Sequence, residues 1–111
     1  MATNNYKVIA QSSPAATTAT DIYTVGSGKE AVISTFTVCN RAGTSATYRI
    51  AVRPNGATLS NEHYVTYDAT VPGNDTIALT FGMTMDASDI VTVYASSASV
   101  SFILFGSEIT L

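Results

Sequence analysis

The stretch Ala46–Arg53, A-T-Y-R-I-A-V-R, decides the fold class because its apolar and polar side chains alternate along the chain. A period of two is the signature of a β-strand with one buried face. The inward set would be Tyr48, Ile50 and Val52, and the outward set Thr47, Arg49, Ala51 and Arg53. The strand is predicted to end at Pro54-Asn55-Gly56, since Asn-Gly readily adopts a positive φ in a turn.

Further β-rich runs, each bounded by turn residues, lie on both sides of this strand. The predicted strands are Tyr6–Gln11, Asp21–Val25, Glu30–Asn40, His63–Thr70, Asp75–Phe81 with a continuation over Met83–Met85 beyond a bulge at Gly82, Ile90–Ala95 and Val100–Ile109. Within Glu30–Asn40, we expect Val32 on the face of Phe36 and Ile33 on the other face. Short strands with turns about every eight to twelve residues are typical of sandwiches. The sequence therefore predicts an all-β fold, a two-sheet β-sandwich or jelly roll of about eight antiparallel strands.

The length of 111 residues suits one domain with one hydrophobic core. We expect residues 1–111 to form a single β-sandwich domain, with a short N-terminal arm at about residues 1–5 that is free to reach a neighbour. The start has no hydrophobic run of signal-peptide length, and no stretch approaches the ~18 apolar residues of a membrane span. We therefore expect the chain to fold where it is made and to bind no membrane.

Charged residues are sparse. They make up 12% of the chain, about half the usual share of a globular domain, and the net charge is −3. The basic residues are scattered, and only Arg49 and Arg53 could share a patch. Because a phosphate backbone is bound by clustered Lys and Arg, we expect no nucleic-acid partner. A chain with so few charges exposes hydroxyl groups or covers much of its surface with partners.

Catalytic chemistry has few candidate residues. The chain holds one histidine, His63, and one cysteine, Cys39, and most of its acidic residues fall in turns. General-base schemes at neutral pH mostly depend on a well-placed His, and turn Asp residues commonly bond their own backbone. The turn Asp86–Asp89 could supply oxygen ligands to Ca²⁺, although its spacing does not match an EF-hand. We expect no enzyme activity, no catalytic residue, no cofactor and no metal site.

The six tyrosines are candidate surface residues. Tyr64 and Tyr67 are an odd number of positions apart, so we expect them to point to opposite faces, with at least one of them outside the core. An exposed Tyr on a sheet suits a protein interface or a platform for stacking a sugar. The residues predicted to contact a partner are Tyr6, Arg41, Arg49, Arg53 and Tyr67.

Four segments carry a family resemblance. They are Tyr23–Ser34 (Y-T-V-G-S-G-K-E-A-V-I-S), Val38–Arg41 (V-C-N-R), Arg49–Val52 (R-I-A-V) and Phe102–Glu108 (F-I-L-F-G-S-E). These runs resemble small virion structural proteins of tailed phages, particularly those of cyanobacterial and other aquatic phages, and the resemblance extends over almost the whole chain. Its motifs are strand-and-turn patterns. Where the family pattern has Pro before Ser-Gly-Lys, this chain has Gly26, which loosens the turn.

The resemblance implies a non-enzymatic structural component of the phage particle, made in the host cytoplasm and located in the virion. The first expectation is a head decoration (cement) protein that clamps capsid subunits from outside. Its partners would be the major capsid protein and itself, and such proteins are often homotrimers. The alternative is a structural module of the tail, neck or fibre, or a carbohydrate-binding module. Sugar platforms usually carry Trp, and this chain has none.

Overall fold

Eight antiparallel strands in two sheets make up most of the computed structural model, which describes residues 2–111. The strands are β1 (Thr3–Ser12), β2 (Thr20–Thr24), β3 (Lys29–Asn40), β4 (Ala46–Arg53), β5 (Tyr64–Val71), β6 (Asp75–Met85), β7 (Ile90–Ala95) and β8 (Val100–Thr110). Sheet A has the order β1-β8-β3-β6, and sheet B has the order β2-β7-β4-β5. Successive strands change sheets everywhere except between β4 and β5, which is the winding of a jelly roll. The predicted all-β sandwich is confirmed.

The core lies between the sheets and is built from alternate side chains of both. Phe36 of β3 and Phe102 of β8 are fully buried and meet edge to face, with ring centroids 6.0 Å apart. Tyr48 of β4 adds a third ring from sheet B, 6.4 Å from Phe102. Fully burying one large apolar side chain stabilises a fold by roughly 1.5–3 kcal/mol, so this layer holds the two sheets together.

Strand β4 has the bounds that its alternation predicts. Tyr48 and Ile50 are buried in the core, as expected. Ala51 differs from the prediction because it is buried although its position belongs to the outer face. It lies between Tyr64 and Thr92 across the ladder, and these larger neighbours leave little of its methyl group exposed.

A bulge in β3 reverses the predicted faces of two residues. Ile33 is fully buried, whereas Val32 is only half-buried, so their predicted orientations are wrong. The register with β8 shifts between Ile33 and Thr35, which leaves Ser34 as an extra residue and changes the parity of the strand. The bulge predicted in β6 is confirmed, since the register with β3 shifts there and Gly82 has a φ of 61°.

The expected N-terminal arm is part of the sheet. Thr3, Asn4 and Asn5 pair with the last residues of β8, from Thr110 back to Glu108. The prediction of a free arm at about residues 1–5 is therefore wrong for these three residues. Met1 lies outside the described part of the chain. The physical reason is that β8 continues to Thr110, and pairing with β1 satisfies backbone groups along this length.

Candidate functional site

The outer face of sheet A carries an exposed apolar patch formed by Tyr6, Val8, Val32 and Phe105. Val8 pairs directly with Phe105, and Tyr6 pairs with Ser107, whose partner on the other side is Val32. Side chains of directly opposed residues lie on the same face, so the four form one surface. Tyr6 is 81%, Val8 46% and Phe105 37% exposed. Contiguous exposed apolar side chains are typical of interaction surfaces, so this patch is a candidate contact surface.

A shallow depression lies within the apolar patch, lined in part by Tyr6, Phe105 and Ser107. Gly106 also lines it, and a Cβ there would collide with the backbone of Val32, so β3 and β8 approach closely at this point. The hydroxyl of Ser107 is buried and has no hydrogen-bond partner within residues 2–111. The patch therefore rests on a tightly packed strand pair rather than on loops.

The outer face of sheet B carries a stacked arginine. The guanidinium of Arg49 lies between two tyrosine rings, with its Cζ 4.1 Å from the ring centroid of Tyr67 and 4.2 Å from that of Tyr94. Its Nε and Nη2 donate to the carboxylate of Asp68 at 2.6 and 3.3 Å. The hydrogen bond to Asp68 raises the pKa of Arg49, which keeps the guanidinium charged. A guanidinium fixed by two ring faces and a carboxylate forms a pre-ordered surface unit.

A bulge in β5 brings Tyr64 and Tyr67 to the same face. Their rings are perpendicular, with centroids 4.9 Å apart, so the predicted placement on opposite faces is wrong. The register with β4 shifts between Tyr64 and Thr66, and the extra residue reverses the parity. A second shift follows before Ala69, where Asp68 has a φ of 51°. This irregular strand directs Tyr67 and Asp68 towards Arg49 of β4.

Arg53 also has a fixed acidic partner on sheet B. Its Nη2 donates to Asp21 Oδ2 at 2.7 Å, and its Nε donates to Thr92 Oγ1 at 3.1 Å. The hydroxyl of Thr92 donates in turn to Asp21 Oδ1 at 2.7 Å. This network joins β2, β7 and β4 across the outer face. Three of the predicted contact residues, Arg49, Arg53 and Tyr67, thus share one sheet face.

The other two predicted contact residues lie elsewhere. Tyr6 belongs to the apolar patch of sheet A. Arg41 follows β3, and its Nη2 donates to Ser13 Oγ at 2.8 Å and to the carbonyl oxygen of Ala98 at 3.1 Å. Asn40 beside it is buried, and its amide nitrogen donates to two backbone carbonyls. Asn40 and Arg41 of the V-C-N-R motif therefore hold loops in place through hydrogen bonds at one end of the sandwich. The five residues predicted to contact a partner do not form one site.

The sheets are joined near the other end of β3 by Glu108. Its carboxylate accepts hydrogen bonds from the Tyr23 hydroxyl at 2.7 Å, from Lys7 Nζ at 3.1 Å and from Lys29 Nζ at 3.2 Å. Tyr23 belongs to sheet B, and the two lysines belong to sheet A. Hydrogen bonds from Tyr23 and then Lys7 are the main causes that lower the pKa of Glu108 to about 2. This clasp has a structural role.

His63 and Asp89, two of the candidate residues for chemistry, have hydrogen-bond partners in the backbone. His63 Nδ1 accepts a hydrogen bond from the Ser60 backbone at 3.1 Å. Asp89 accepts the backbone N–H groups of Asn55 and Asp86, both at 2.8 Å, so turn geometry accounts for this carboxylate. Within residues 2–111, no group of three or more His, Cys, Asp or Glu side chains is placed to hold a metal ion. The same part of the chain has no helix long and apolar enough to cross a membrane.

Sequence reasoning missed several residues of these two faces. Val8 follows Tyr6 by two positions, and this spacing was a usable signal for a shared face. Phe105 lies beside them only because the first strand pairs with the last, and no local sequence pattern predicts this pairing. Comparisons with known proteins add no relative, since no family model, curated protein or solved structure matches the chain. The outer faces of the two sheets are therefore the features that bear on function.

Proposed function

We propose that this chain is a non-enzymatic structural subunit of a tailed-phage particle, of the head decoration (cement) type. In this proposal it binds the capsid through the apolar patch on sheet A. Its partners are the major capsid protein and further copies of itself, and its location is the virion. The observation that carries the proposal is the exposure of Tyr6, Val8 and Phe105 side by side on two paired strands.

Covering the patch supplies a driving force for association. Removing apolar surface from water contributes roughly 25 cal/mol per Å², and aromatic residues are enriched at the centres of protein interfaces. Tyr6 and Phe105 lie on strands that are paired along their length, so binding requires little ordering of the backbone. The patch therefore suits a preformed protein surface as partner.

Two properties of the whole chain support the same proposal. The low share of charged residues, 12%, suits a subunit whose surface is partly covered in an assembly. Jelly rolls also recur in viral capsid domains, which supports the proposal by fold analogy alone. A subunit that binds only the assembled lattice stabilises the shell by mass action, which is the physical basis of a cement protein.

Co-sedimentation with expanded heads of the cognate particle tests the proposal. The variant Val8→Lys places a charge in the patch, and Val65→Lys is its matched control because Val65 is a strand valine of sheet B with a similar exposure, 43% against 46%. Burying an unpaired charge is costly, so we expect Val8→Lys to weaken head binding by at least about tenfold and Val65→Lys to bind like the wild type.

Three outcomes would contradict this proposal. The wild-type chain would fail to sediment with heads at micromolar concentration, or it would associate with tails instead of heads. Equal binding by the Val8 and Val65 variants would show that the apolar patch is not the contact surface. Self-association is a separate measurement. Light scattering on the chain in the absence of heads gives its oligomeric state, and we expect a homotrimer.

A further inference from the structure

We propose that the outer face of sheet B holds a binding site for an uncharged glycan, in the corner between the rings of Tyr64 and Tyr67 and beside Asn61. This face is on the opposite side of the sandwich from the apolar patch of sheet A. The inference does not rest on the decoration function, because it uses different residues and predicts a different ligand.

The two rings supply the stacking surface. They are perpendicular, at 87°, with centroids 4.9 Å apart, and Asn61 lines the same depression. Tyr67 is 56% exposed. A pyranose has C–H groups on its ring faces, which pack against aromatic rings, and hydroxyls around its edge, which need hydrogen-bonding partners. A corner of two tyrosines with an amide beside it offers both kinds of contact.

Neighbouring side chains fix the position of the Tyr67 ring. The guanidinium of Arg49 packs over the ring of Tyr67 and over that of Tyr94. Its hydrogen bond to Asp68 fixes the guanidinium in this position. Asp68 adopts a left-handed backbone conformation in a bulge, and bulges commonly re-aim side chains next to binding sites. Because the rings are already ordered, a ligand loses little affinity to side-chain immobilisation.

A polar side chain with free hydrogen-bonding groups lines the same depression as the two rings. Asn61 is exposed and has both a donor and an acceptor. A planar amide of this kind can bind neighbouring hydroxyls of a sugar in a defined orientation.

The charge of this face favours an uncharged ligand. Arg49 is paired with Asp68 and Arg53 with Asp21, so the cations of the face are neutralised. Glu62, next to Asn61, adds an exposed carboxylate with a side chain that is 73% accessible. With a net charge of −3 on the chain, a sulfated, phosphorylated or uronic-acid polymer is repelled. Neutral hexose chains meet no such penalty.

Binding to an array of neutral gluco-, galacto- and manno-oligosaccharides, followed by NMR titration of any positive ligand, tests the site. We expect at least one neutral glycan to bind the wild type, and Tyr67→Ala to weaken that binding by at least about tenfold. Tyr6→Ala is the matched control, since Tyr6 is an exposed tyrosine of the other sheet. It should bind the glycan normally.

Several results would overturn the inference. They are the absence of binding to every neutral glycan at millimolar concentration, binding confined to acidic glycans, and equal binding by Tyr67→Ala and the wild type. Shifts confined to residues of sheet A would also overturn it. Head binding is a separate readout. A chain that binds the glycan but no heads would refute the decoration function alone, and the reverse result would refute the glycan site alone.

Discussion

Replacing Gly106 by alanine should destabilise the fold far more than an ordinary surface glycine substitution. Gly106 pairs with Ile33 in the β3–β8 ladder, beneath the apolar patch. An added Cβ would overlap the carbonyl oxygen of Val32 and would lie 2.9 Å from its carbonyl carbon and 3.0 Å from the Cα of Ile33. These are backbone atoms, so no side-chain rotation can remove the collision.

The size of the effect follows from the displacement that is needed. Carbon atoms in contact are normally about 3.5–4.0 Å apart, and the carbonyl oxygen of Val32 would lie closer to the added Cβ than either carbon, so the two strands must separate by at least about an ångström. Overpacking of this kind costs roughly 1–3 kcal/mol, and weakening the two nearest ladder hydrogen bonds adds about 1–3 kcal/mol. The free energy of unfolding should fall by about 4 kcal/mol, from a total of roughly 6–17 kcal/mol for a chain of 111 residues.

Urea unfolding followed by circular dichroism measures this change. With a slope of about 2 kcal/mol/M, the midpoint should fall by about 2 M. The matched control is Gly26→Ala, because a Cβ at Gly26 would make only an ordinary contact, 3.5 Å from Cδ of Lys29. Its effect should stay within about 1 kcal/mol. A urea midpoint of Gly106→Ala within about 0.5 M of the wild type, which corresponds to about 1 kcal/mol, would show that the two strands accommodate the added Cβ and would contradict this prediction.

Two further predictions concern the core and the clasp between the sheets. Phe36→Ala should lower the free energy of unfolding by about 3–5 kcal/mol, because Phe36 is fully buried and contacts Phe81 and Phe102 edge to face; a urea midpoint close to that of the wild type would contradict this. Glu108→Gln should lower the melting temperature at pH 7. The pKa of Glu108 is depressed to about 2 in the folded chain from an ordinary value near 4.5, so its contribution is present above about pH 5 and is lost as the pH falls towards 2. The difference in melting temperature between variant and wild type should therefore shrink between pH 5 and pH 2, and a constant difference would argue against the clasp.

The fold was predictable where the local pattern is unbroken. Ala46–Arg53 alternates cleanly and ends at an Asn-Gly turn, and β4 has those bounds in the structure. Where a bulge adds a residue, the alternation no longer predicts which face a side chain is on, as at Ile33 in β3 and between Tyr64 and Tyr67 in β5. Ser34 and Val65 carry no turn signature, so composition gives no warning of these extra residues.

The candidate sites were predictable only in part. Arg49 and Arg53 alternate with core residues of one strand, so their shared outer face follows from the sequence. The apolar patch instead depends on the antiparallel register that places Val8 opposite Phe105. That register follows from the topology of the whole jelly roll, in which the first and last strands of the chain are neighbours in one sheet. No local sequence pattern in either strand indicates this pairing. Arg41 was a reasonable surface candidate, yet its guanidinium bonds Ser13 and a loop carbonyl.

A cryo-EM map of the particle that carries this chain would show whether the apolar patch of sheet A binds the capsid. We expect density for the jelly roll on the outer surface of the head, with the patch residues Tyr6, Val8 and Phe105 in contact with capsid subunits and sheet B facing outward. A map with the outer face of sheet A open to solvent, or with the chain along the tail, would contradict it.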